Sequence, residues 1–176
     1  DSFTNPLTTI KANINGTLNI LEAIRIVSKD TRIFFASSSE VFGNTEKDVL
    51  LNEASALLPS NPYAISKMSA QHLVKMYRDR YGLFASTGIL FNHEGPLRTR
   101  SFVTRKITYN IARLATQGGE PFELGSFDSA RDWGSAEDFT KAMILTLSAT
   151  KADDFVFATG KLTSVRSFLK MSAEYA

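Results

Sequence analysis

The chain has 176 residues, of which 43% are hydrophobic and 22% charged, and this composition is typical of a globular protein rather than a disordered or fibrous one. The formal net charge of +2, with no dense run of Lys or Arg, gives no reason to expect binding to nucleic acid or to a membrane. The absence of cysteine excludes disulfides and thiolate metal sites, so no metal site is expected, and a cytoplasmic location is predicted.

The first half of the chain predicts two long helices around one strand. "TNPLTTIKANINGTLNILEAIRIVS" predicts a helix in which Thr4 or Asn5 is the cap and Pro6 lies in the first turn. Gly16 interrupts this helix, which predicts a close approach of another backbone. "RIFFAS" predicts a buried strand, a polar loop follows, and "NPYAISKMSAQHLVKMYRDRYG" predicts a helix that Gly82 closes in the left-handed conformation.

The second half continues the alternation of strands and helices. Strands are predicted for "LFASTGILFN", "PFELGS" and "DDFVFATG", and helices for "SFVTRKITYNIARLATQGG" and "SAEDFTKAMILTLSA". A last helix is predicted with Thr163 or Ser164 as its cap. Alternation of this kind is typical of an α/β fold, a Rossmann-like, doubly wound parallel sheet with helices on both faces. The chain lacks an initiating Met and ends inside an amphipathic segment, so we expect a fragment of a larger protein.

Two polar segments follow predicted strands at the edge where parallel folds gather their functional groups. "SSSE" comes after the first strand and "NHEGPLR" after the second. Ser38 and Glu40 alternate and therefore project to the same side. Tyr63 and Lys67 are four residues apart on one helix face, where the ammonium is expected to favour the phenolate and let the pair transfer protons. Simpler interpretations stay open: a turn or a helix cap for Ser38 and Glu40, and a surface Tyr stacked on a Lys stem.

Further motifs carry a resemblance to a known family. "SSSEVFG", "NPYAISK", "GILFNHEGP", "FVTRKI", "LGSFDSARDWG", "DFVFATG" and "SVRSF" together resemble the extended short-chain dehydrogenase/reductases, also called the NAD-dependent epimerase/dehydratase family. Among these enzymes the motifs look most like those of the GDP-mannose 4,6-dehydratases. The resemblance implies that residues 1–92 are the C-terminal part of an NADP-binding Rossmann domain. Residues 93–176 would then be a mixed segment that contributes to the substrate-binding region and to the last strand of the sheet.

The resemblance also implies roles for particular residues. The implied catalytic residues are Ser38, Glu40, Tyr63 and Lys67; the implied NADP contacts are Lys67, His93 and Arg98; the implied GDP-sugar contacts are Asn92, Val103, Lys106 and Arg131. Three positions depart from the family pattern, with Ser38 in place of Thr, Gly95 in place of Ser and Leu97 in place of Arg. No G-x-x-G-x-x-G turn opens the chain, so the dinucleotide phosphate site is expected upstream. Without the resemblance, His93 would be read as a hydrogen-bonded loop residue, and Lys106 and Arg131 as solvated charges.

The activity that the resemblance implies is that of an NADP-dependent lyase converting GDP-mannose to GDP-4-keto-6-deoxymannose and water. This fragment alone is expected to be inactive, and the complete protein is expected to form a homodimer or homotetramer. Two alternatives stay open. One is a related nucleotide-sugar epimerase or 4-ketoreductase, which has no use for Glu40 as a base at C5. The other is a non-catalytic remnant that binds a GDP-sugar.

Overall fold

The fold alternates helices with short strands in a computed structural model that describes residues 2–45 and 49–176. The helices, in chain order, are α1 (Pro6–Ile10), α2 (Gly16–Val27), α3 (Pro62–Tyr81), α4 (Val103–Gln117), α5 (Ala136–Ser148) and α6 (Val165–Tyr175). The strands are β1 (Ile33–Ala36), β2 (Ala85–Leu90), β3 (Asn92–Glu94), β4 (Ala130–Ser135), β5 (Asp154–Phe157) and β6 (Leu162–Ser164). A π-helical turn (Lys11–Asn15) joins α1 to α2, and a 3-10 turn (Ser39–Phe42) follows β1. Within the described ranges, no helix is long and apolar enough to cross a membrane.

The chain folds into two compact units. The first unit contains the described residues up to Phe91 together with Thr140–Phe157, and the second contains Asn92–Phe139 and Ala158–Ala176. In the first unit, β2 pairs in parallel with β1 on one side and with β5 on the other. This arrangement confirms the predicted Rossmann-like parallel sheet. The roles assigned to residues 1–92 and 93–176 in cofactor and substrate binding stay predictions.

The second unit has a small mixed sheet that the sequence did not predict. In it, β4 pairs in parallel with β3 and antiparallel with β6. The strand predicted for "PFELGS" is wrong, since residues 121–126 form no strand; a proline and a glycine in this stretch disfavour ladder pairing. Charged residues in β4 obscure its alternation, and β6 has only three residues, so neither gave a strand signal. Ser164 caps α6 as predicted, its hydroxyl accepting a hydrogen bond from the Ser167 amide at 3.1 Å.

The N-terminal helix has the predicted extent but not a uniform geometry. Asn5 is its cap and accepts a hydrogen bond from the Thr8 amide at 3.3 Å, while the π-helical turn interrupts the α-helical pattern before Gly16. A Cβ atom added to Gly16 would meet nothing within 4 Å, so the predicted close approach of another backbone is wrong. The glycine instead begins α2, directly after the π-helical turn.

Two apolar clusters of the first unit fix the elements that carry the candidate site. One cluster packs Leu21 of α2 and Val74 of α3 against Phe35 of β1, which joins the two helices to the sheet. The other contains Val41 and Phe42 of the 3-10 turn. Burying a large apolar side chain contributes about 1.5–3 kcal/mol, so the turn is anchored by its last two residues.

Gly43 closes the 3-10 turn in a conformation that requires glycine, and its replacement tests how firmly the turn is held. Its φ is 70° and its ψ is −151°, and an added Cβ would lie 1.9 Å from the Leu58 carbonyl oxygen. We expect Gly43→Ala to lower the free energy of unfolding by about 3 kcal/mol or more, measured by urea unfolding, because backbone strain and a steric clash add together.

Gly82→Ala is the matched control for Gly43→Ala. Gly82 also has a positive φ, 68°, but an added Cβ would meet nothing within 4 Å. This variant is expected to lose only about 1–2 kcal/mol. Equal losses in the two variants would show that contact with the Leu58 carbonyl does not constrain the turn.

Candidate active site

The segment after β1 turns back on itself and presents Ser38 and Glu40. Ser37 extends the pairing of β1, its amide donating to the Gly88 carbonyl at 2.8 Å, and its hydroxyl donates to Gln71 of α3 at 2.8 Å. Ser38 is extended and caps the 3-10 turn by accepting from the Glu40 amide at 3.3 Å. The cap that the simpler interpretation proposed for Ser38 therefore exists, and it brings Ser38 and Glu40 to the carboxyl end of β1.

Helix α3 begins at this same place because Asn61 caps it and Pro62 occupies its first position. The Asn61 side-chain oxygen accepts from the Ala64 amide at 2.8 Å, and the Asn61 side-chain amide donates to Glu40 Oε2 at 2.8 Å. A second link fixes the first turn of α3. Asn13 donates to the Ser66 hydroxyl at 2.8 Å, and that hydroxyl donates to the Tyr63 carbonyl at 2.7 Å.

Tyr63 is half-buried in the first turn of α3, beside both residues of the Ser38–Glu40 segment. Burial raises the pKa of its phenol, a hydrogen bond from the Ser38 side chain lowers that pKa, and the negative charge of Glu40 raises it. The net direction is upward. The group that lowers this pKa is the Ser38 side chain, and the favouring of the phenolate by the Lys67 ammonium stays a prediction.

Lys67 lies one turn beyond Tyr63 and points back to the sheet. Its ammonium donates to the Ala36 carbonyl at 2.9 Å, where β1 ends. The same nitrogen lies 5.7 Å from the centre of the Tyr63 ring and 5.2 Å from that of Phe35. Burial lowers the pKa of this ammonium. The helical spacing of the two residues thus places the phenol and the ammonium on the same side, as the sequence predicted.

An open cleft of about 370 Å³ lies over these groups. Glu40, Asn61 and Tyr63 line it, together with Ser2, Phe3 and Thr9. Glu40 is exposed at the cleft, and Tyr63 on the helix faces the same space. A cleft of this size accommodates a hexose ring. Two of the four predicted catalytic residues, Glu40 and Tyr63, therefore line a space that a sugar could enter, and Ser38 and Lys67 lie beside Tyr63.

In the second unit, three of the predicted residues lie on neighbouring strands. Asn92 and His93 belong to β3 and pair with Trp133 and Gly134 of β4, the strand that also carries Arg131. The His93 ring stacks on Phe139 with 4.9 Å between the centres. Arg131 is exposed, and its guanidinium donates to the Ala130 carbonyl at 2.7 Å.

The remaining predicted residues of the second unit are Arg98, Val103 and Lys106. Arg98 Nε lies 3.1 Å from Glu94 Oε2, and its guanidinium carbon lies 3.5 Å from the centre of the Phe102 ring. The positive charge of Arg98 therefore already interacts with a carboxylate and an aromatic ring of this chain. Val103 and Lys106 are half-buried in the first turns of α4 and lie three residues apart, on one face of the helix.

The carboxylate of Asp132, next to Arg131, was not singled out by the sequence. It is buried and accepts hydrogen bonds from the Thr159 amide at 3.0 Å, the Thr159 hydroxyl at 2.7 Å and the Gly160 amide at 2.7 Å. It therefore ties β4 to the loop after β5. One feature of the sequence could have pointed to Asp132. It lies inside "RDWG", next to Arg131, which was predicted to face the diphosphate of the GDP-sugar.

The family model for GDP-mannose 4,6 dehydratase matches residues 1–176. The chain belongs to the GDP-mannose 4,6-dehydratase family. It is 43% identical to a GDP-mannose 4,6-dehydratase of Yersinia enterocolitica, with 99% of this chain and 47% of that protein covered. It is 42% identical to a GDP-mannose 4,6 dehydratase of Drosophila melanogaster, with 95% and 42% covered. The chain spans about half the length of these two relatives.

Two solved structures of other proteins superpose closely on this chain. RMD from Pseudomonas aeruginosa, in a complex with NADPH, superposes with a TM-score of 0.93 and 28% identity, covering 98% of this chain and 59% of that one. A UDP-glucose 4-epimerase from Thermotoga maritima, in a complex with UDP-glucose, gives a TM-score of 0.87 and 26% identity, covering 98% and 56%. These similarities confirm the Rossmann-like fold of the dehydratase family. The roles of individual residues stay predictions.

The hydrogen bond between Ser38 and Tyr63 gives a prediction about pH dependence in the full-length protein. Because this bond lowers the pKa of Tyr63, Ser38→Ala is expected to raise that pKa further and to keep the phenol protonated at higher pH. The limb of kcat/KM that rises with phenolate formation should therefore move to higher pH, which a pH profile of the variant measures. Ser39→Ala, in the same turn, is the control. An unshifted limb in Ser38→Ala would show that the Ser38 side chain does not lower the pKa of the group that this limb reports.

Proposed function

We propose that the complete protein is a GDP-mannose 4,6-dehydratase, a lyase that converts GDP-mannose to GDP-4-keto-6-deoxymannose and water. The observation that carries the proposal is the arrangement around the cleft, where Glu40 and Tyr63 line the same space and Asn61 hydrogen-bonds the Glu40 carboxylate at 2.8 Å. Membership of the dehydratase family supports the choice of substrate. The carboxylate distinguishes this arrangement from a site that only oxidises or reduces an alcohol.

NADP is the proposed cofactor, and the groups around Lys67 fit a nicotinamide riboside. An ammonium has three N–H donors, and one of them binds the Ala36 carbonyl, so the ammonium can also bind ribose hydroxyls. His93 and Arg98 are the other proposed contacts of this group. The similarity to RMD, which was solved with NADPH, supports NADP over NAD. The chemistry that the bound nicotinamide supplies is reversible hydride transfer.

Tyr63 and Ser38 act at C4 of the sugar in this proposal. Tyr63 removes the proton of the 4-hydroxyl as C4 is oxidised to a ketone, and Ser38 donates a hydrogen bond to the developing carbonyl oxygen. Ser38 has a single O–H, so its hydrogen bond lowers the pKa of Tyr63 before the proton transfer and passes to the sugar oxygen as the ketone forms. A general base of this kind contributes about 10²–10⁴ in rate.

Glu40 acts at the neighbouring carbon. The C4 ketone makes the C5 proton acidic, and Glu40 accepts that proton. The electron pair of the C5–H bond then forms the C5–C6 double bond as the 6-hydroxyl leaves, taking the proton from Glu40 to become water. Reduction at C6 and protonation at C5 complete the product, so no net oxidation occurs.

The substrate nucleotide is assigned to residues of the second unit. Asn92 and Val103 are proposed contacts of the GDP-sugar, and Lys106 and Arg131 are proposed to face its diphosphate, for which an ammonium and a guanidinium are suitable partners. The proposal also includes a homodimer or homotetramer and a cytoplasmic location.

The mass of the product separates the proposed function from its rivals. The full-length protein, incubated with GDP-mannose and NADP, is expected to release a sugar nucleotide about 18 Da lighter than the substrate. An epimerase would leave the mass unchanged, and a ketoreductase running in reverse would use the supplied NADP to oxidise an alcohol without any loss of water. Tight binding of GDP-mannose with no new product would support a non-catalytic binding protein instead.

A further inference from the structure

Asn61 makes two hydrogen bonds with opposite ends of one side-chain amide. Its oxygen accepts from the Ala64 amide at 2.8 Å, and its nitrogen donates to Glu40 Oε2 at 2.8 Å. The first bond caps the helix that carries Tyr63, and the second reaches the carboxylate assigned to the C5 proton. A single side chain thus joins the two groups that act on adjacent sugar carbons.

The orientation of this amide is set by the helix rather than by Glu40. The Ala64 amide can only donate, so the side-chain oxygen of Asn61 must face it and the nitrogen must face away, toward the carboxylate. The backbone of Asn61 is extended, with φ −143° and ψ 160°, and Pro62 fixes the next φ. The donor that Glu40 meets is therefore held in place before any ligand binds.

Glu40 needs such a partner because its side chain is exposed at the cleft. An exposed glutamate samples several rotamers, and a base must lie within hydrogen-bond reach of the proton that it removes. Asn61 binds only Oε2, which leaves Oε1 to accept the proton. An aspartate at position 61 could cap the helix through one carboxylate oxygen but has no proton to donate to Glu40.

We propose that Asn61 is a positioning residue that fixes the Glu40 carboxylate for transfer of the C5 proton. The inference rests on the proposed dehydratase function. It assigns Asn61 no contact with the sugar, so its effect is expected in the rate of the Glu40 step and not in substrate binding.

The test compares two variants that both keep an oxygen to cap α3. Asn61→Asp replaces the donor to Glu40 with a carboxylate oxygen that repels the Glu40 carboxylate. Asn61→Ser replaces the amide with a shorter side chain, whose single hydroxyl caps the helix and is the only donor left for Glu40. In the full-length protein, the C5 proton of GDP-4-keto-6-deoxymannose should exchange with D₂O, and NMR follows this exchange directly. Asn61→Ser is expected to slow exchange and to lower kcat about 10- to 100-fold with KM unchanged, and Asn61→Asp is expected to slow exchange further. Both should keep the melting temperature near that of the parent protein.

Asn5→Ser is the matched control, because Asn5 also caps a helix that begins with proline, through a hydrogen bond from the Thr8 amide. It should leave C5 exchange unchanged. In a Glu40→Gln background, Asn61→Ser should cause no further loss. If Asn61→Asp exchanged the C5 proton as fast as the parent protein does, the role of Asn61 would be overturned and the proposed function would not. A parent protein that neither exchanges C5 nor loses water would overturn the proposed function and this inference together.

Discussion

Replacing Glu40 with Gln in the full-length protein is expected to lower kcat for water loss by about 10²–10⁴-fold, while GDP-mannose still binds. A glutamine keeps an oxygen that can accept the hydrogen bond now made at 2.8 Å from Asn61, so the turn should keep its shape. It cannot accept a proton from C5 at neutral pH. Product formation followed by mass spectrometry gives the rate, and calorimetric titration with GDP-mannose gives the affinity.

The control for Glu40→Gln is the same change at a carboxylate away from the cleft. Glu53 accepts a hydrogen bond from the Val156 amide at 2.7 Å, and a glutamine there also keeps an acceptor oxygen. Glu53→Gln should leave turnover unchanged. Turnover of Glu40→Gln at the parent rate would refute the assignment of Glu40 as the C5 base.

Tyr63→Phe is expected to lower kcat by a similar factor, about 10²–10⁴-fold, because it impairs a different step of the reaction. The phenyl ring keeps the packing of α3 and the face near the Lys67 ammonium, which lies 5.7 Å from the ring centre. The variant lacks the group that takes the 4-hydroxyl proton, so oxidation at C4 should stop. Because Glu40 remains, exchange of the C5 proton in the ketone product should stay within about tenfold of the parent rate. Glu40→Gln should lose that exchange.

Tyr81→Phe controls for the loss of a phenol hydroxyl from the same helix. Tyr81 ends α3 and packs its ring on Tyr77, with 4.9 Å between centres. This variant should show normal turnover. If Tyr63→Phe and Glu40→Gln lost the same partial reactions, separate roles at C4 and C5 would be untenable.

The arrangement of the four proposed catalytic residues could be predicted because it follows from local periodicity. A parallel strand that ends at Ala36 delivers Ser38 and Glu40 to the sheet edge, and a four-residue spacing places Tyr63 and Lys67 on one helix face. The pKa of Tyr63 could not be predicted in this way. It depends on how deeply the ring is buried and on which hydroxyl reaches it, and both are tertiary properties.

The small sheet of the second unit could not be predicted from the sequence for a related reason, and the same holds for the contacts of Asn61. Strand β6 has three residues and gains its order from pairing with β4. Asn61 stands directly before Pro62, but the partner of its second hydrogen bond lies 21 residues earlier in the chain. Long-range pairings of this kind have no periodic signature, so only the folded chain reveals them.

The most direct test of the account follows one deuterium atom through the reaction. The full-length protein is supplied with NADP and with GDP-mannose that carries deuterium at C4 of the sugar. If one site oxidises C4, removes water across C5 and C6 and then reduces C6, the product is a 4-ketone with the deuterium in its C6 methyl group. Deuterium that stays at C4, or a product that keeps its 6-hydroxyl, would contradict the account.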